Sequence, residues 1–288
     1  EIIYSLNKDI SYLNCESFQE IKVINEISRN LKKTVSISIR INPSIETGTH
    51  KNIETGNKQN KFGIDINEIS HLLDMINDFN NISLVGFHFH LGSQIESDLP
   101  FLKLCKKANE LNELFYNKRF NVKYINVGGG LSIDYEEPLN NSISDFSSFF
   151  QIFNNNLILK NNQEIHFELG RSIVGQCGFL VSKVLFTKKS FNKDFLIIDA
   201  GMNDLIRPAL YNSTHKMINI SSKSNKNKNY DIVGPICESS DIFARNYNLP
   251  LSSRDDYIVI CSTGAYGESM SSNYNLRNSL KSYFSDTI

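Results

Sequence analysis

Leu84-Val85-Gly86-Phe87-His88-Phe89-His90-Leu91-Gly92-Ser93 begins as a short apolar run and ends in imidazoles, a glycine and a hydroxyl. Such a run reads as a buried strand whose C-terminal end carries polar chemistry. The same arrangement recurs on both sides of it. Apolar runs at 35–41, 122–127 and 164–167 lead into Arg40-Ile41-Asn42-Pro43, Gly128-Gly129-Gly130 and Glu168-Leu169-Gly170-Arg171, and a fifth run lies at 10–15. Between them, 18–31, 67–79, 98–116 and 144–159 are amphipathic. Ile69, Leu72, Leu73, Ile76 and Phe79 fall at three- and four-residue steps, which places them on one helical face. Strand and helix in alternation, with polar chemistry at the strand C-termini, predict a (β/α)8 barrel. Five units are present where a closed barrel has eight. The expectation is a partial TIM-type barrel, its last five units, with three more of about 30 residues each lying before Glu1.

After Cys177 the pattern changes. Short β-branched or aromatic runs at 179–186, 195–199, 231–233 and 257–261 are separated by turn-like segments such as Phe191-Asn192-Lys193-Asp194. They predict a mostly antiparallel second domain. The Lys- and Asn-rich stretch 221–230 reads as a solvated loop. The fold class is therefore α/β plus all-β, with 1–177 as the C-terminal portion of the barrel and 178–288 as a β-rich domain. No closing strand is evident before Ile288, so truncation at that end is expected too.

Composition narrows the function. The 288 residues carry a formal charge of -1, which argues against a nucleic-acid partner, because a phosphate footprint needs clustered positive charge. No apolar run approaches the roughly 18 residues of a membrane span, and Glu1-Ile2-Ile3-Tyr4-Ser5 lacks the basic start of a secretory signal. A cytosolic location is expected. The five cysteines are odd in number, widely spread and without a Cys-x-x-Cys pair, so neither a disulfide framework nor a structural zinc site is expected.

Several residues stand out chemically. Gly128-Gly129-Gly130 after a strand can curl bare amides around an anion. A dinucleotide fingerprint is the rival, but it needs glycine where Ile133 stands; a plain tight turn is the other alternative. Glu168 can hold a heterocyclic nitrogen protonated and Arg171 can grip a phosphate or carboxylate in a fork; the bland alternative is a surface ion pair. His88 and His90 alternate along a strand, and His90 can lie flat on a planar cofactor or be a satisfied core residue. No acidic or Cys ligand stands nearby in sequence to complete a metal site around them. Further on, the string from Asp199 through Arg207 to Tyr211, Gly234-Pro235-Ile236-Cys237-Glu238-Ser239, and Gly264-Ala265-Tyr266-Gly267 read as loops, where binding residues concentrate. Arg207 suits a carboxylate and Cys237 a proton transfer; taken singly, a salt bridge and an inert thiol explain them as well.

Taken in order, His88-Phe89-His90-Leu91-Gly92-Ser93-Gln94, the glycine triplet, Glu168-Leu169-Gly170-Arg171-Ser172, the Asp199 string, the Cys237 loop and Gly264-Ala265-Tyr266-Gly267-Glu268-Ser269-Met270 resemble the fold-type III, alanine-racemase-like, pyridoxal-phosphate-dependent decarboxylases. Within that family the resemblance is to the branch acting on meso-2,6-diaminopimelate, and it covers nearly the whole chain. It implies a lyase of lysine biosynthesis that forms L-lysine and CO2. His90 would stack on the pyridoxal ring, Glu168 would pair with its nitrogen, Ser93, Gly128, Gly129, Gly130 and Arg171 would surround its phosphate, and Leu169 and Gly170 would also be cofactor-binding. Arg207 and Tyr211, with Arg171, would hold substrate carboxylates, and Tyr266 would touch cofactor and substrate. Cys237 would be the catalytic proton donor and Glu238 would meet the distal amino group, both across a homodimer interface. Relatives acting on ornithine or arginine share the cofactor residues, and a non-catalytic dimerising homologue is the other alternative. Two departures stand out. Leu169 replaces the family's usual proline and loses its fixed φ, and the family's Schiff-base lysine belongs to a strand absent here. No lysine of this chain inherits that role, Lys61 of Lys61-Phe62-Gly63 included, so the chain by itself is expected to be inactive.

Overall fold

The structure is a computed structural model that describes residues 1–48, 56 and 60–285. It divides into two compact units, Glu1–Ser132 with Asp145–Leu169, and Ile133–Ser144 with Gly170–Ile288.

In the first unit the order is α1 (Ile2–Leu6), β1 (Leu13–Cys15), α2 (Phe18–Asn30), β2 (Val35–Asn42), β3 (Ile64–Asp65), α3 (Ile69–Asn77), β4 (Ile82–His88), α4 (Leu99–Asn117), β5 (Tyr124–Asn126), α5 (Phe146–Asn156) and β6 (Glu164–His166). The five main strands pair in parallel in the order β1-β2-β4-β5-β6, and the short β3 adds to the end of β2. All-parallel pairing follows from the helical crossovers, which return each strand in the same direction. These are the five β/α units of a barrel fragment. β2 is buried along most of its length, as a strand covered on both faces must be.

Local chemistry sets the helix positions. Ser17 caps α2, its hydroxyl accepting from the Glu20 amide at 3.1 Å, while Glu20 accepts from the Glu16 amide at 2.6 Å. The first bond satisfies a donor that the first turn leaves unpaired, and the second ties the preceding residue to the helix start. α3 buries Ile69, Leu72, Leu73 and Ile76, four of the five positions read from the sequence; Phe79 lies just beyond its end and packs partly buried on the same core. In β4 the register against β2 skips one residue: Ile37 faces Leu84 and Ser38 faces Gly86. The resulting bulge at Val85 interrupts the ladder ahead of the polar strand end. Gly86 is required there, since a Cβ would lie 2.5 Å from the Tyr124 carbonyl oxygen.

The second unit contains α6 (Arg171–Val174), β7 (Leu180–Ser190), β8 (Lys193–Ile198), α7 (Arg207–Tyr211), β9 (Met217–Asn219), β10 (Asn227–Val233), β11 (Ile242–Pro250) and β12 (Tyr257–Ile260). Its sheet runs β11-β10-β8-β7-β12-β9. All neighbours are antiparallel except β8 and β10, so the β-rich reading holds with one parallel pair added. Val184, Leu196, Ile198, Ile232, Ile258 and Ile260 form the core of this unit.

Two readings need correction here. The stretch 221–230 is not all loop, because β10 begins at Asn227, and β11 was not foreseen. Both strands are polar outside and are held partly by amide pairs, Asn227 to Asn248 at 2.9 Å, Asn229 to Asn246 at 3.1 Å and Asn248 to Asn229 at 2.6 Å. Cross-strand polar pairs of this kind stabilise a sheet without the hydrophobic run that marks a strand in sequence. Likewise the Asp199 string is not loop throughout, since Arg207–Tyr211 is a helical turn with proline near its start, where its missing N–H costs nothing.

Candidate active site

In the first unit, the ends of β4, β5 and β6 bring His88, His90, Asn126, the glycine triplet and Glu168 together. Asn126 is the organiser. Its Oδ1 accepts from the Gly128 amide at 2.9 Å, so its Nδ2 must face the other way, where it donates to Glu168 Oε1 at 2.9 Å. The backbone repeats the tie: Glu168 N–H donates to Gly128 O at 2.8 Å. Ile95 N–H donates to Gly130 O at 2.9 Å, bringing in the segment that carries half-buried Ser93.

The triplet is held in shapes that suit glycine. Gly128 has φ +72° and Gly130 φ +111°, a region that side chains with a Cβ rarely enter. A Cβ on Gly128 would lie 2.3 Å from Phe89 O, and one on Gly129 would lie 2.3 Å from Glu168 O. A loop that tolerates no Cβ can bring its backbone against a ligand, here with buried His88, half-buried His90 and a carboxylate beside it.

The electrostatics fit a protonated aromatic nitrogen heterocycle. His88 Nε2 lies 3.3 Å from Glu168 Oε2, and this imidazole, more than Asn126, holds the Glu168 carboxyl down to about 2 against the cost of its partial burial. Glu168 is therefore ionised at neutral pH and ready to keep a proton on a pyridine nitrogen. His90 is pushed down to about 4, chiefly by burial and then by the charge of Arg40, with Glu168 opposing. Its Nδ1 accepts from the Gly129 amide at 3.3 Å. A neutral, flat ring is the form that stacks on a protonated heterocycle without repulsion. The residues present thus fit pyridoxal phosphate. Leu169, at the departure from the family pattern, packs partly buried against the barrel core.

In the second unit a separate cluster gathers Arg171, Arg207, Tyr135, His215 and Tyr266. The Tyr135 hydroxyl accepts from Arg171 Nη1 and, at 2.6 Å, from Arg207 Nη1. Arg207 Cζ stands 5.0 Å from the Tyr135 ring and Arg171 Cζ 5.0 Å from the Tyr266 ring, both within cation–π range. Tyr266 itself adopts φ +63°, a strained conformation for a bulky side chain. Arg171 and Arg207 are only 6% and 4% exposed. Among the described residues no carboxylate pairs with Arg207, and its Nε is buried without a hydrogen-bond partner. Burial pushes the Arg207 pKa down. A buried cation with an open donor is a receptor for an oxyanion. Tyr211 ends the same helical turn and is half-buried.

Cys237 and Glu238 are exposed on the second unit, and Glu238 accepts from the Tyr274 hydroxyl at 2.5 Å. Their loop is built around buried Asp241, whose carboxylate accepts from the amides of Ile236 at 2.6 Å and Met202 at 2.7 Å. Sequence reasoning did not single out Asn126, Tyr135 or His215. Asn126, two residues ahead of the glycine run, carried a usable signal; a tyrosine and a histidine in loops carry none.

Residues 1–175 match the family model described as "Pyridoxal-dependent decarboxylase, pyridoxal binding domain". The chain is 46% identical to the diaminopimelate decarboxylase of Bacteroides thetaiotaomicron over 288 residues, which is 100% of this chain and 74% of that protein. It belongs to the diaminopimelate decarboxylase family of pyridoxal-dependent decarboxylases. The diaminopimelate decarboxylase of Aquifex aeolicus is 39% identical over 281 residues, 96% of this chain and 65% of that protein. A crystal structure of diaminopimelate decarboxylase from Helicobacter pylori complexed with L-lysine superposes with a TM-score of 0.90 at 38% identity, covering 97% of this chain and 69% of that chain. The fold is thus that of the fold-type III decarboxylases, and the chain spans roughly two thirds to three quarters of the relatives it matches. No helix among the described residues is long and apolar enough to cross a membrane.

Burial of neutral imidazoles in this decarboxylase chain has a consequence for stability. His215 is 3% exposed and, like His90, is pushed down to about 4, first by burial. The folded chain therefore binds fewer protons than the unfolded one between their ordinary value of 6.5 and about 4. Stability is complete above that window and declines as pH falls through it, by on the order of 3 kcal/mol for a fully buried ring. Depressed Glu168 extends the loss below 4.5 toward 2. Denaturant midpoints at pH 7.5 and 5.0 check this: the midpoint is expected to fall on acidification and to fall less in His215→Gln.

Proposed function

We propose that the full-length protein converts meso-2,6-diaminopimelate to L-lysine and CO2, and that the residues above act in the roles their geometry suits. The observation that carries the reading is the glycine cradle tied through Asn126 to an ionised Glu168; support comes from relatives named for this reaction. Pyridoxal phosphate, when bound, supplies an electron sink for the charge left at the α-carbon as CO2 departs.

His90 would lie against its ring and Glu168 would hold the proton on its ring nitrogen. The close-packed backbone of Gly128, Gly129 and Gly130, the Ser93 hydroxyl and Arg171 would surround its phosphate, with Leu169 and Gly170 beside the cofactor. Arg207, Tyr211 and Arg171 would orient the substrate carboxylates, with Tyr266 touching both molecules. Cys237 would deliver a proton to the α-carbon, so that a C–H bond replaces the broken C–C bond, and Glu238 would hold the distal ammonium. The exposure of Cys237 and Glu238 supports their serving a partner subunit in a homodimer, and five free thiols support a reducing, cytosolic setting. Residues 1–177 would form the C-terminal portion of the cofactor-binding barrel and 178–288 a β-rich domain.

The test is turnover by the full-length protein loaded with pyridoxal phosphate. Lysine release from meso-diaminopimelate is expected to exceed product release from ornithine or arginine by at least about a hundredfold in kcat/KM, the discrimination available to polar recognition of an extra carboxylate. Equal or faster turnover of ornithine would overturn the assignment.

A further inference from the structure

We propose that Tyr135 is a positioning residue for substrate carboxylates, acting through Arg171 and Arg207. The inference rests on the roles assigned to those two arginines above. One phenolic oxygen accepts from both guanidiniums, which occupies both of its lone pairs. Two nitrogens bonded to one oxygen lie within roughly 5 Å of each other, a spacing at which like charges repel each other. The hydroxyl therefore sets the separation and aim of two cations that would otherwise move apart.

Its neutrality matters as much as its position. A carboxylate in this place would hold the arginines equally well and cancel the charge that recruits an anion; a phenol holds them and leaves it intact. His215 completes the arrangement. Its Nδ1 faces the Cys261 carbonyl oxygen at 2.9 Å and so must donate, which leaves the Nε2 lone pair toward Arg207 Nη1 at 3.4 Å. The imidazole also stacks edge-on against Tyr135, at 5.0 Å and 81°. Arg207 is thus oriented by two neutral acceptors, while its buried Nε keeps an unused donor.

The experiment is Tyr135→Phe in the full-length, cofactor-loaded protein. The KM for diaminopimelate is expected to rise about tenfold, with a smaller change in kcat, as loss of a charge-assisted hydrogen bond implies. The inhibition constant of pimelate, which keeps both carboxylates and lacks both amines, is expected to rise by a similar factor. That of 1,5-diaminopentane, which lacks carboxylates, is expected to stay within about twofold, and cofactor absorbance to persist. Unchanged KM and pimelate inhibition overturns the inference, as does an equal loss for the diamine, which would mark a merely structural residue. If Tyr135→Phe does not fold, His215→Leu is read the same way, with about a threefold rise in KM expected from losing one neutral acceptor and no rise overturning the inference. An unsubstituted protein that does not turn over diaminopimelate indicts the proposed function instead.

Discussion

Replacing Cys237 by alanine in the full-length protein is expected to lower lysine formation by about a thousandfold, the size of contribution a positioned proton donor makes, while cofactor absorbance is kept. The thiol is exposed on a loop that the structure fixes in place. Asp241, buried, takes the amides of Ile236 and Met202, and the chain turns back on itself through Glu238 N–H to Ile236 O at 2.8 Å and Asp241 N–H to Glu238 O at 3.1 Å. A loop clamped from inside and presenting a cysteine and a glutamate outward is suited to serve a site on another subunit. That gives the variant a second readout. Cys237→Ala and Arg207→Ala homodimers should each be nearly inactive, yet mixing them should restore about a quarter of the activity, because half the dimers are mixed and each of these keeps one intact site assembled from both chains. Restoration by mixing fails if thiol and arginine serve the same chain's site, and full activity in Cys237→Ala removes the proton-donor role.

Glu168→Gln is expected to lower kcat by about a hundredfold or more, as loss of a preorganised charge at the developing electron pair implies. The amide keeps the shape of the carboxylate and its hydrogen bond from Asn126 but removes the charge that would hold a proton on the pyridine nitrogen. The unsubstituted carboxyl is held down to about 2, first by His88, so the charge persists across the working pH range. The pH profile of kcat should therefore show no Glu168 limb above pH 4 in the parent. A glutamine variant with near-parental kcat would show that the ionised form is not needed.

The barrel fragment was legible because its signals are local. Residues 67–79 carry a 3.6-residue apolar period, and the parallel strands, covered on both faces, read as apolar runs. The ends of those runs announced the glycine triplet, Glu168 and Arg171 in advance. β10 was legible only at 231–233 and β11 not at all, because their Asn residues face outward and pair across the ladder where a hydrophobic run would otherwise mark the strands.

By itself the sequence determined the alternation of strand and helix, the later change to β structure, and the identity of the chemical groups at the strand ends. Backbone propensity and hydrophobic period act over a few residues, so they are written in consecutive ones. Only the tertiary structure decided that Asn126 joins Gly128 to Glu168, that His88 keeps that carboxylate ionised, and that Tyr135 and His215 align Arg207. Each of these depends on a hydrogen bond or a charge acting over a few ångströms between residues far apart in the chain, and on burial that strengthens it. Neither distance nor burial exists until the chain has folded.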